Sequence, residues 1–192
     1  MFNIESTYQF ITDFCLRTDS RDPMWMAEEL MHSDYVRVHG PEHHFLTAAV
    51  LCTAWCNAVG EEKQEHLEQL RIRCKKVPPA VCGYYGVCGD VLAAGAVMSE
   101  MLGVNYLSAE PWQRLNAFTA RLQAAVADSC TSGPRCCKRT SYAVLHAAAD
   151  GLAKMGIQVS KSEPIRCGFS TENAQCIGRN CLFSCKEEGS HG

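Results

Sequence analysis

No stretch of this chain reaches the roughly 18 consecutive apolar residues that a membrane-spanning helix requires. The longest apolar patch, 91–98, is short and rich in glycine and alanine. The N-terminal segment MFNIESTYQFITDF has no basic region followed by an apolar one, so it does not read as a secretory signal. Charge of one sign is also lacking. The net charge is -3, which provides no long-range field toward nucleic acid or an anionic membrane, and neither is expected as a partner. The motifs of several common chemistries are missing: a GxGxxG nucleotide loop, a CxxxCxxC cluster motif, paired CxxC zinc knuckles and an HExxH zinc helix. Repeats, low-complexity tracts and long linkers are absent too.

What is present in excess is cysteine, with 13 residues among 192. An odd count cannot pair completely within one chain. A leaderless chain is expected to be cytoplasmic, where thiols stay reduced and read as metal ligands or redox groups before they read as staples.

The helical period dominates. Helices are expected over 2–16, from Pro23, from Pro41 to Gly60, over 61–77, over 90–102, from Pro111, and over 138–155. A short strand is expected over 157–160, and a cysteine-rich loop from 162 onward that is too poor in apolar residues to pack unaided. The expected fold is all-α, a single helical-bundle-like domain over 1–192. It comprises N-terminal helices over 1–38, a helical core over 39–160 and a cysteine-rich tail over 161–192 packed against it. Ala93, Ala94, Gly95 and Ala96 invite close approach of a neighbouring helix. The Met and Trp residues at 24, 25, 26, 31, 55, 98 and 101 fall at helical spacing and are expected in the core.

Four constellations carry chemistry. In Cys82-Gly-Tyr-Tyr-Gly-Val-Cys88-Gly-Asp90, two thiols flank a glycine-rich turn at a helix start, with Asp90 as a natural N-cap and Tyr84 and Tyr85 as a possible roof. In Arg135-Cys136-Cys137-Lys138-Arg139, two thiols open another helix among three cations, an environment that stabilises a thiolate, an anionic cluster or an anionic substrate. Adjacent cysteines diverge, so one of the pair is expected to ligate while the other packs or reacts. The tail offers Cys167, Cys176, Cys181 and Cys185, enough sulfur for tetrahedral zinc or a cubane cluster. The segment His39-Gly-Pro-Glu42-His43-His44 supplies imidazoles, of which His39 and His44 are candidate ligands and His43 a candidate base. Cys52 and Cys56, one helical turn apart, are expected to pack in the core, while Cys15 and Cys74 stand isolated and His66 has no motif around it.

Taken together, HGPEHH, CGYYGVCG, RCCKR and the CGFSTENAQCIGRNC frame resemble a cysteine-rich family of unknown function from anaerobic bacteria and archaea. The resemblance covers about 39–181. It implies anaerobic metal or sulfur chemistry, and a radical-SAM or methyltransferase module as a partner. By position it points to His39, His43, His44, Cys82, Cys88, Cys136, Cys137, Cys167, Cys176 and Cys181.

The leading expectation is therefore a metal-binding protein, with an iron–sulfur cluster favoured over zinc and thiols converging at adjacent helix N-termini. Arg135, Lys138 and Arg139 would flank the bound group. A second expectation is a thiol enzyme or sulfur carrier, with Cys136 or Cys137 as nucleophile and His43 or His44 as base. A third is a structural zinc module that recruits a partner.

Overall fold

The computed structural model describes residues 2–129, 133–161 and 166–184. Among the described residues, eight α-helices form one all-α domain: α1 Ile4–Arg17, α2 Pro23–Met31, α3 Glu42–Val59, α4 Gln64–Lys75, α5 Val81–Tyr85, α6 Gly89–Met101, α7 Glu110–Ser129 and α8 Cys137–Lys154. None of the described helices is long and apolar enough to cross a membrane.

The start and stop chemistry follows the chain. Asn3 caps α1 by accepting from the Glu5 and Ser6 amides, and Asp22 caps α2 ahead of Pro23 at its first turn. Gly60, at φ 79°, ends α3 in the left-handed region that glycine enters without penalty. Helix α3 is apolar on almost every face, so it can be stable only when surrounded. It forms the axis of the domain, with α1, α2, α4, α6 and α8 packed around it. Helix α7 lies outside, on α6 and α8. Small residues let it approach: a Cβ at Gly95 would stand 2.8 Å from Thr119, and one at Gly151 2.8 Å from Phe118. The close packing expected of 93–96 is thus present.

Several local expectations are corrected. Residues 157–160 form no strand; Ser160 is held instead by its amide donating to the Arg21 carbonyl. The turn expected at Cys82 contains the short helix α5, entered through Ala80 at a left-handed φ of 61°. Trp25 is exposed rather than in the core, and Tyr84 and Tyr85 point to solvent rather than roofing a site.

The tail over 166–184 is not apolar enough to form a core of its own, but it carries two anchors. Phe169 is buried beneath the His32 ring and the Lys138 ammonium, and Phe183 meets the Tyr142 ring edge-on. One bridge between Cys167 and Ser184 closes the segment on itself.

Candidate functional site: two thiol cavities on either side of the start of α8

The start of α8 divides the thiols into two groups. Cys136 is its N-cap residue and Cys137 its first residue. Cys136 lines a cavity together with Cys167, Cys176 and Cys181 of the tail, with Lys138, Arg139, Asn173 and Phe169 completing the wall. Cys137 lines a different pocket, of about 230 Å³, with Cys82, Cys88, His44, Asp90 and Arg135. The thiols expected at adjacent helix N-termini thus line two cavities, a number that the sequence left open.

In the tail basin the four thiols come from two chain segments, the cap of α8 and the tail. The Asn173 amide donates toward Cys136 Sγ at 3.6 Å, and the Gly178 amide donates toward Cys176 Sγ at 3.4 Å. Burial pushes the Cys167 thiol up to about 11, and the neighbouring thiols at 136, 181 and 176 act in the same direction. Lys138 is only 1% exposed. Its ammonium donates to the Met31 carbonyl at 3.1 Å and sits 3.8 Å above the Phe169 ring. Burial lowers its pKa to about 8, so an anion placed in this basin would be welcomed. Arg139 is buried as well and donates to the Pro134 carbonyl at 2.9 Å. The free volume inside the basin is about 20 Å³, room for about one water molecule. Cys185 lies outside the described residues, as does Cys130.

Both ring nitrogens of His39 have protein neighbours in this arrangement. Nε2 meets Asn173 Oδ1 at 3.1 Å, and Nδ1 accepts from the Cys137 amide at 3.5 Å. His39 thus ties the tail to one of the open amides at the start of α8.

The second pocket is built at the start of α6. Cys88 is the N-cap residue there, and its amide donates to Gln123 Oε1 at 3.1 Å. Asp90 is not the cap. It lies in the first turn, 2% exposed, and accepts from Ser141 at 2.9 Å and from Thr140 at 3.4 Å. Burial raises its pKa to about 6 against these stabilising hydroxyls. The His44 ring lies across Gly89, where an added Cβ would fall 2.0 Å from Nε2, and its Nδ1 is buried without a hydrogen-bond partner. Arg135 Nη1 stands 3.5 Å from Cys137 Sγ. Even so, burial dominates there and pushes the Cys137 thiol up to about 11, and the Cys88 thiol up to about 12. The activation expected of Cys137 from neighbouring cations and the helix terminus is outweighed.

His43 is corrected as a base. It is fully buried, its Nε2 meets the Arg37 carbonyl at 2.9 Å and its Nδ1 meets the Ser141 hydroxyl at 3.4 Å. Burial lowers its pKa to about 4, and it lines neither cavity. Of the two imidazoles named as candidate bases, His44 is the one that lines a cavity. Glu42, also buried, is paired with the Arg37 guanidinium through both oxygens at 2.8 and 2.7 Å, so it braces the turn before α3 rather than shuttling protons.

Sequence reasoning missed a third group. Among the described residues, the three-donor group whose ligand atoms all lie within 4.8 Å of one another is Cys56, Glu61 and His66. Cys56 is buried as expected, but its thiol is held below the usual range by the S–H of Cys52, 3.9 Å away. The available signal was the spacing of these residues around the helix-ending Gly60. The many thiols and this triad are compatible with metal binding.

A family model described as a family of unknown function, DUF5714, matches residues 11–184. No curated protein and no solved structure matches the chain.

Proposed function

This chain belongs to DUF5714, a family of unknown function, and we propose that it is an iron–sulfur protein whose cluster is held by Cys136, Cys167, Cys176 and Cys181. The observation that carries the reading is that these four thiols, from α8's cap and the tail, line one basin beside two buried cations. The donor set fits: four soft thiolates suit a cluster or zinc. Among the described residues, no three of these four thiols lie within 4.8 Å of one another, so either group would have to draw them together; the resemblance to a cysteine-rich family of anaerobes is what favours the cluster. Lys138 and Arg139 would offset the negative charge of such a group, and the Phe169 and Phe183 anchors would hold the tail over it. Bound there, a cluster would supply electron transfer or Lewis acidity. The chain's own part is to exclude water and neutralise charge. The radical-SAM or methyltransferase module implied by the sequence resemblance is the partner class we propose.

Protein purified and reconstituted without oxygen tests this. Iron and sulfide in cluster stoichiometry, with brown charge-transfer absorption lost in Cys136→Ser and Cys176→Ser, is the expected result. Colourless protein that takes up zinc at these thiols and no iron would reject the cluster.

A second reading is a thiol enzyme, favoured by the pocket that presents Cys137, Cys82 and Cys88 beside His44. It requires a fast-reacting thiol, whereas burial opposes ionisation of Cys137 and Cys88. Alkylation at pH 6 discriminates. Slow modification of every thiol would leave the pocket without a nucleophile.

A further inference from the structure

The corner between α3 and α4 lies away from both thiol cavities. Cys56 sits in the last turn of α3. Gly60, at φ 79°, then turns the chain so that the amides of Gly60 and Glu61 both donate to the Cys56 carbonyl, at 2.7 and 3.0 Å. This double closure returns Glu61 to the side of Cys56. His66 lies in the first turn of α4 and faces the same point. One atom from each of Cys56, Glu61 and His66 falls within 4.8 Å of the others.

The two ring nitrogens of His66 have different surroundings. Nδ1 is 3.2 Å from Glu100 Oε1, and Nε2 is 4.0 Å from Glu61 Oε2. Glu100 is in turn held by the Arg73 guanidinium. A carboxylate at Nδ1 fixes the tautomer in which Nε2 carries the lone pair, the arrangement found behind metal-bound histidines. Cys56 Sγ has a hydrogen-bond partner outside the group in the Cys52 thiol, 3.9 Å away. His66 thus has its Nδ1 engaged and its Nε2 left for the common point.

We infer that Cys56 Sγ, a Glu61 carboxylate oxygen and His66 Nε2 form a binding site for one divalent cation of the zinc class. The donors decide the class. Thiolate, imidazole and carboxylate together suit zinc, whereas calcium and magnesium take oxygen. Three protein ligands leave a fourth position to water, on the solvent side where the Glu61 side chain is 55% exposed. Ligand atoms around zinc lie about 3.3–3.8 Å apart, so closure requires a shift of about an ångström. The exposed Glu61 side chain can make it without moving either helix. Sulfur at 56 must lose its proton on binding, so affinity rises with pH. The site is independent of the basin proposed above and survives that proposal's failure.

Cobalt(II) is the probe. Full-length protein carrying Cys176→Ser and Cys181→Ser, which empties the basin of two thiols, is freed of metal and titrated. One equivalent is expected, with thiolate-to-cobalt absorption in the near ultraviolet and the visible bands of four-coordinate cobalt, displaced by zinc. His66→Ala should weaken binding by at least about 100-fold. Glu100→Gln, which retains every ligand, should weaken it about 10- to 100-fold. Unchanged cobalt spectra in both Cys56→Ser and His66→Ala, or no bound equivalent in protein whose circular dichroism is helical, would overturn the inference. If the doubly substituted tail prevents folding, the parent chain is compared with His66→Ala. A difference of one equivalent supports the site, and equal stoichiometry rejects it.

Discussion

Cys136 and Cys137 are adjacent in the chain and belong to different cavities, the first to the basin closed by the tail, the second to the pocket at the start of α6. Cys136 is the extended cap residue and Cys137 the first helical one, and their side chains line different cavities, so the start of α8 acts as a partition between two thiol sites. That relationship makes the pair separable by substitution.

Cys136→Ser should abolish metal retention in the basin, while Cys137→Ser should leave it within about twofold. Metal analysis of the two variants, purified side by side, checks this. Equal loss in both would mean that the two sides share one centre.

Asp90 gives the fold a defined pH dependence. Its folded pKa of about 6 lies above the ordinary value of 3.8, because it is buried. The folded state therefore binds a proton more tightly than the unfolded chain. This contribution is fully present below about pH 4 and is lost as pH rises through about 6. Asp90→Asn cannot ionise. Its stability relative to the parent should rise by about 3 kcal/mol between pH 4 and pH 8, from a shift of about two units. Denaturant unfolding at both pH values measures the difference. A constant difference would mean that Asp90 is not held in a desolvated site.

Gly89 and His44 occupy the same space. Gly89→Ala would set a methyl 2.0 Å from His44 Nε2, so the ring must leave its place over the start of α6. The cost should be about 1–3 kcal/mol, with the His44 ring resonances shifted and the rest of the spectrum little changed. Parent-like stability with an unmoved His44 would contradict the geometry.

Phe169 is the main anchor of the tail, 3% exposed and covered by His32 and Lys138. Phe169→Ala should cost about 3–5 kcal/mol of docking. Hydrogen exchange over 166–184 should then accelerate while the helices stay protected. Faster exchange throughout the domain would mean that the tail is part of the global folding unit.

Much of the architecture was legible in the sequence because its signals are local. Pro23, Pro41 and Pro111 mark helix starts, and Gly60 marks a stop. The small residues at 93–96 announced a close neighbour, and Gly95 has one in Thr119. Residues 157–160 misled because the alternation of β-branched Ile157 and Val159 with polar Gln158 and Ser160 scores as strand, whereas a strand also needs a partner ladder, which this segment lacks among the described residues.

The chain by itself determined which side chains are available: thirteen cysteines, a cluster of histidines and two thiol-bearing helix starts, one of them cationic. Only the tertiary structure decided their grouping. Sequence order could not separate Cys136 from Cys137, because the packing of the tail on one side and α6 on the other makes them differ. It could not join Cys56 to His66, whose proximity depends on one left-handed glycine and on the angle between α3 and α4. Nor could it exclude His43 as a base, since its burial follows from α8 lying across α3. Ligand geometry and desolvation are properties of what surrounds a residue, and for these groups the surroundings come from distant parts of the chain.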